Sequence, residues 1–93
     1  MANLSREKLL KELRKKYPLQ NFRTTEEFNG NKGGVWTSGE SVEQLHGGLP
    51  LFDYYAEGNN YVFGVVAPLH DWLEEKGWYG EWYDAGTMMI WKI

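Results

Sequence analysis

The sequence predicts an α+β fold: an antiparallel sheet of about four to five strands with two helices packed on one face. Three observations carry this. Leu9, Leu10, Leu13 and Tyr17 recur at helical spacing near the N-terminus. Short β-rich runs follow, punctuated by Gly- and Asn-containing turns. A second, shorter helical stripe, Leu69, Trp72 and Leu73, separates the middle runs from a C-terminal hairpin. The order helix, hairpin-like strands, helix, hairpin favours neighbouring strands pairing in a meander beneath packed helices.

The first helix has a readable start and stop. Ser5 is placed to cap a helix beginning at Arg6, with Leu4 and Leu9 as a hydrophobic staple. Pro18 disfavours helical geometry at Tyr17 and ends the element. Residues 19–28 admit two readings. Phe22, Thr24, Glu26 and Phe28 share a face in a strand, whereas Thr24-Thr25-Glu26-Glu27 has the spacing of a capping box. Asn29-Gly30-Asn31-Lys32-Gly33-Gly34 is a turn, and Val35 to Ser38 a short strand. Gly39 to Pro50 is a polar connector. Leu51–Ala56 and Tyr61–Val66 then read as two strands joined by the hairpin loop Glu57-Gly58-Asn59-Asn60.

Pro68 fits the first turn of the second helix and Gly77 its stop. Trp78–Tyr83 and Thr87–Ile93 flank Asp84-Ala85-Gly86, a three-residue hairpin loop. Alternation puts Trp78, Gly80 and Trp82 on one face and Tyr79, Glu81 and Tyr83 on the other. Neither face is wholly polar, so both are expected to be covered.

Size and composition bound the rest. The 93 residues fit a single domain, 1–93, and five Trp, six Tyr and four Phe supply much of its apolar area. Cysteine is absent, so disulfides, thiolate metal sites and thiol nucleophiles are excluded. The charged N-terminal segment carries no secretory h-region, and no apolar run is long enough to span a bilayer. A soluble protein of the cytoplasm is expected. Charge is uneven: residues 1–23 hold seven basic and two acidic side chains, a balance of +5, and residues 24–93 hold three and eleven, a balance of −8.

Catalytic chemistry finds little support. His70 and Asp71 are adjacent on a helix and project about 100° apart, which is not a dyad geometry. His46, Ser38 and Ser41 have no partner fixed by spacing, and no metal-ligand spacing occurs. Asp53, between Phe52 and Tyr54, is the best single carboxylate for an enzyme, although a hydrogen-bonded structural role fits it better. The expectation is a non-enzyme without cofactor or metal.

The aromatic C-terminal half is the strongest feature. Trp72 and Trp91 are expected in the core. Tyr79, Glu81, Tyr83 and Asp84, with Tyr54, are the expected partner-binding residues, because surplus Tyr and Trp suit protein interfaces. A second reading is a nucleotide-like small-molecule ligand, bound in an oligomer. Trp36 would then stack on the base while Arg23, Lys32 and Gly33 meet phosphate in the glycine loop. Direct nucleic-acid binding is disfavoured, since the aromatic half is acidic.

The run Gly77-Trp78-Tyr79-Gly80-Glu81-Trp82-Tyr83-Asp84-Ala85-Gly86-Thr87-Met88-Met89-Ile90-Trp91, with Val35-Trp36-Thr37-Ser38-Gly39-Glu40 and Phe52-Asp53-Tyr54-Tyr55 before it, resembles small, largely uncharacterised phage- and prophage-encoded accessory proteins. The resemblance implies no catalytic residue or substrate. It implies an inhibitor acting on a host factor or defence system, an anti-CRISPR role included. The acidic surface would steer such a protein to a basic partner, for example a nucleic-acid-binding channel.

Overall fold

A computed structural model describes residues 3–39, 45–56 and 58–93; Glu40, Ser41 and Glu57 lie outside the described residues. Helix α1 (Arg6–Lys16) begins where Ser5 turns extended and its hydroxyl accepts the Lys8 amide at 3.4 Å. Leu9, Leu10 and Leu13 are buried along one stripe, and Tyr17 closes it at 5% exposure.

Of the two readings of residues 19–28, the capping box holds, while the strand is confined to two residues and Glu26 and Phe28 are helical. Arg23–Thr24 is strand β1 and Thr25–Asn29 is helix α2. Glu27 Oε2 accepts the Thr24 amide at 3.0 Å, closing the capping box. The described residues thus hold three helices rather than two.

Strand β2 (Val35–Ser38) follows, then the paired β3 (Leu45–His46) and β4 (Leu49–Pro50) within the segment expected to be a plain connector. The middle of the chain differs most from expectation. Leu51–Ala56 is not a strand: its tie to the next run is one bridge, Phe52 to Val65. The Asp53 carboxylate explains this, since Oδ1 accepts the Tyr55 amide at 3.0 Å and folds the backbone into an Asx turn. Tyr61–Val66 is not one strand either. It doubles back as β5 (Tyr61–Val62) and β6 (Val65–Val66) around Phe63-Gly64.

Helix α3 (Ala67–Glu75) carries Pro68 in its first turn. Strands β7 (Trp78–Asp84) and β8 (Thr87–Lys92) complete an antiparallel four-stranded sheet in the order β1-β2-β8-β7. β2 pairs with β8, far along the chain, so the sheet is not a pure meander. The final turn is tighter than expected. Asp84 pairs with Thr87, leaving Ala85-Gly86 as the loop, and the register shifts between Trp82 and Asp84 in a bulge at Tyr83.

One apolar cluster joins the buried stripes of α1 and α3 to the inner sheet residues Val35, Trp78, Met88 and Ile90. Trp78, not Trp72 or Trp91, is the buried tryptophan at 1% exposure, and its indole N–H donates to the Leu4 carbonyl at 2.8 Å. Trp72 stays half-buried at the rim, with the Lys16 ammonium 5.2 Å from its ring centroid. Trp91 is on the opposite face, where the register pairs it with Tyr79 and its ring packs on Gly34. That outer face also holds Trp36 and the buried Met89, which pair across β2 and β8. Phe28 of α2 sits over it, with ring centroids 5.1 Å from Trp36 and 5.3 Å from Tyr83. The second cover expected for the ribbon is thus partly α2. Among the described residues, no helix is long and apolar enough to cross a membrane.

Candidate functional site

The sequence-predicted residues divide among three places. Tyr79, Glu81 and Tyr83 lie on the outer face of β7, as alternation requires. Their availability is limited: Tyr79 is only 36% exposed, and the Tyr83 ring meets Phe28 edge-on at 83°. Asp84 serves its own turn, with Oδ1 accepting the Gly86 amide at 2.9 Å. Tyr54 is elsewhere, packed against Trp82 on the inner side of β7, so the five residues named for partner binding do not form one patch.

The glycine loop is engaged internally. The Gly33 amide donates to Glu26 Oε2 at 3.3 Å, and the Gly34 amide to Thr25 Oγ1 at 3.1 Å. Arg23 pairs loosely with Glu27 at 3.8 Å, and Lys32 stands exposed. Trp36 has its indole N–H buried with no hydrogen-bond partner among the described residues, facing the outer side rather than a phosphate cradle. The anion this loop holds is the carboxylate of Glu26.

The Arg6 guanidinium binds the same carboxylate. That bond, with the Glu26 and Gly33 amides helping, lowers the Glu26 pKa from 4.5 to about 2. A lowered folded-state value stabilises the fold above the unfolded value, and the contribution is lost as pH falls from about 4.5 towards 2. A carbon-detected NMR titration should therefore place the Glu26 midpoint near 2, and Arg6→Ala should move it back towards 4.5. A midpoint unmoved by Arg6→Ala would remove the guanidinium as its cause.

Each histidine has a side-chain partner. His46 Nδ1 meets the Tyr17 hydroxyl at 3.1 Å, where burial raises the tyrosine pKa. On α3, ligand atoms of His70, Asp71 and Glu74 come within 4.8 Å of one another, a grouping not foreseen from sequence. His70 Nε2 already faces Glu74 Oε1 at 3.3 Å, and the two carboxylates are exposed, so the arrangement is that of an i,i+4 pair on a helix surface.

A concavity lies beside the β7–β8 turn, at one end of the sheet. A pocket of about 380 Å³ is lined by Gly39, Pro50, Phe52, Asp53, Tyr54 and Tyr55, with Ala85 of the β7–β8 turn. Trp82 backs it. Its ring presses on Gly39, where any Cβ would collide with it, and meets Tyr54 at 5.1 Å and 90°. Tyr54 in turn meets Tyr55 at 5.1 Å and 82°, so these two lining rings stand as near-perpendicular walls, with Trp82 packed against Tyr54 outside the lining.

Trp82 also fixes the β5–β6 turn beside this pocket. Its indole N–H donates to the Phe63 carbonyl at 2.7 Å, and the Asp53 amide donates to the Gly64 carbonyl at 2.8 Å. The two turn residues have φ of 51° and 76°, the pattern of a type I′ turn. Gly64 suits it, but Phe63 does not: an aromatic residue at positive φ is strained. Yet Phe63 is 84% exposed and gains almost nothing from burial. Tyr55, at 78%, is nearly as open. Sequence reasoning identified Tyr54 but missed Phe63 and Tyr55 as a site. The available signal was the Val-Phe-Gly-Val run, a two-residue turn with an aromatic where Asn is favoured.

Comparison with protein-family models, with characterised proteins and with solved structures finds no match for this chain.

Proposed function

We propose that this chain is a non-enzymatic binding protein that docks on another protein through the pocket and its aromatic rim, Tyr54, Tyr55 and Phe63. The observation that carries the reading is Phe63, an aromatic held at positive φ with its side chain 84% exposed, beside the pocket. Backbone strain of this kind costs about 1–3 kcal/mol and clusters at functional positions. Exposed aromatics surrounding a pocket are the usual anchors of protein interfaces. The sequence resemblance to phage-encoded accessory proteins extends the proposal: the chain is an inhibitor acting in the host cytoplasm on a defence or nucleic-acid-handling protein. The nucleotide-like ligand is the weaker reading, because Glu26 already holds the Gly33 amide that a phosphate would need.

Phe63→Asn tests the proposal, since stability and binding should move in opposite directions. Asn tolerates the turn, so the variant should gain about 1 kcal/mol, raising the thermal midpoint by roughly 4–8 °C. Capture from host lysate should show a protein retained by the parent chain and by Tyr79→Ala, and lost from Phe63→Asn and Tyr54→Ala. A partner lost with Tyr79→Ala but kept by Phe63→Asn would move the interface to the outer face of β7.

A further inference from the structure

We infer that the pocket receives a positively charged side chain of the partner, an arginine guanidinium or a lysine ammonium. This deepens the docking function proposed above and rests on it. Among the described residues, the lining contains one carboxylate, Asp53, and no basic side chain. Asp53 commits Oδ1 to the Tyr55 amide, and a carboxylate has acceptor capacity well beyond one such bond. The turn amide therefore orients the carboxylate without satisfying it.

The walls suit a cation as well. Tyr54 and Tyr55, both in the lining, stand nearly perpendicular with centroids 5.1 Å apart, and Trp82, outside the lining, meets Tyr54 at the same separation. Rings set at right angles present a face and an edge around a shared corner, and a cation is drawn to the faces. A neutral apolar chain would use the same walls but would bury Asp53 without a counter-charge, which is costly. The wider field agrees, because residues 24–93 carry eleven acidic and three basic side chains.

The test titrates the ¹⁵N-labelled full chain with two blocked tripeptides, acetyl-Gly-Arg-Gly-amide and its citrulline counterpart, which keeps the shape and loses the charge. Saturable shifts are expected at the amides of Tyr54, Tyr55 and Ala85 with the arginine peptide, and about tenfold weaker binding of the citrulline peptide. Asp53→Asn should lower the arginine affinity by about tenfold, while an amide oxygen still accepts the Tyr55 N–H and holds the turn. Tyr55→Phe should retain binding and Tyr55→Leu should lose a few-fold, separating the ring face from the hydroxyl. Equal affinity for both peptides would overturn the cation inference and leave the docking function standing. Absence of shifts with either peptide at millimolar concentration would also overturn it. The docking proposal itself fails separately, on the Phe63→Asn and Tyr54→Ala captures.

Discussion

Trp78→Ala is expected to remove about 3–5 kcal/mol of stability, the range for deleting a buried aromatic. A chain of 93 residues has about 5–14 kcal/mol in total, so the variant should be marginal or unfolded at 37 °C. Two losses coincide at this site. The indole, 1% exposed, leaves a cavity bounded by α1, α3 and the sheet, and the Leu4 carbonyl loses its donor. Urea denaturation followed by tryptophan fluorescence and far-UV circular dichroism measures the outcome. Trp78→Phe separates the contributions, since it keeps most of the ring volume and removes the hydrogen bond, for a cost of about 1–3 kcal/mol. A Trp78→Ala protein as stable as the parent would disprove the placement of this residue at the centre of the core.

The second large effect is expected from Gly64→Ala, at about 2–5 kcal/mol. Left-handed geometry at φ 76° costs a β-carbon about 1–2 kcal/mol. That carbon would also lie 2.7 Å from the Asp53 carbonyl oxygen and 2.8 Å from the Trp82 ring, and overpacking of this kind costs about 1–3 kcal/mol. Relief requires moving either the Asx turn or the tryptophan that backs the pocket. The substitution should therefore distort the site together with the fold, visible as chemical-shift changes reaching Tyr54 and Tyr55. Thermal denaturation gives the size of the effect. A loss under about 1 kcal/mol would mean that the turn and Trp82 are not in contact as described.

The elements that were legible in the sequence are those specified by local chemistry. The cap at Ser5, the stop before Pro18 and the period of Leu9, Leu10 and Leu13 together define α1, and no distant contact is needed to read them. Alternation along Trp78–Tyr83 separates inner from outer residues for the same reason. Where two local signals competed, each won over part of the segment, as at Arg23–Thr24 and Thr25–Asn29. What the sequence concealed depends on distant partners. Trp72 lies on a helical stripe and Trp78 on a strand, yet Trp78 took the central position among α1, α3 and the sheet, with its N–H donated to the Leu4 carbonyl. Leu51–Ala56 has strand composition, but after the bridge at Phe52 the side chain of Asp53 takes the Tyr55 amide and turns the backbone away. The candidate pocket was half legible. Asp53 and Tyr54 stood out, whereas Phe63 was concealed in an apolar run whose fold-back depends on one glycine and on Trp82.

The tie between Leu4 and the Lys76–Trp78 segment has a kinetic consequence. The Leu4 amide donates to the Lys76 carbonyl at 3.0 Å, and the Trp78 indole returns a bond to Leu4 across a separation of 74 residues. At a synthesis rate of roughly 5–20 residues per second, α1 emerges several seconds before its anchor exists. During that interval Leu9, Leu10 and Leu13 have no sheet to dock on. Closing so long a loop is also slow in refolding, because its entropy must be lost before any contact is returned. The seating of α1 thus draws on contacts of very high sequence separation, the class of contact that slows folding.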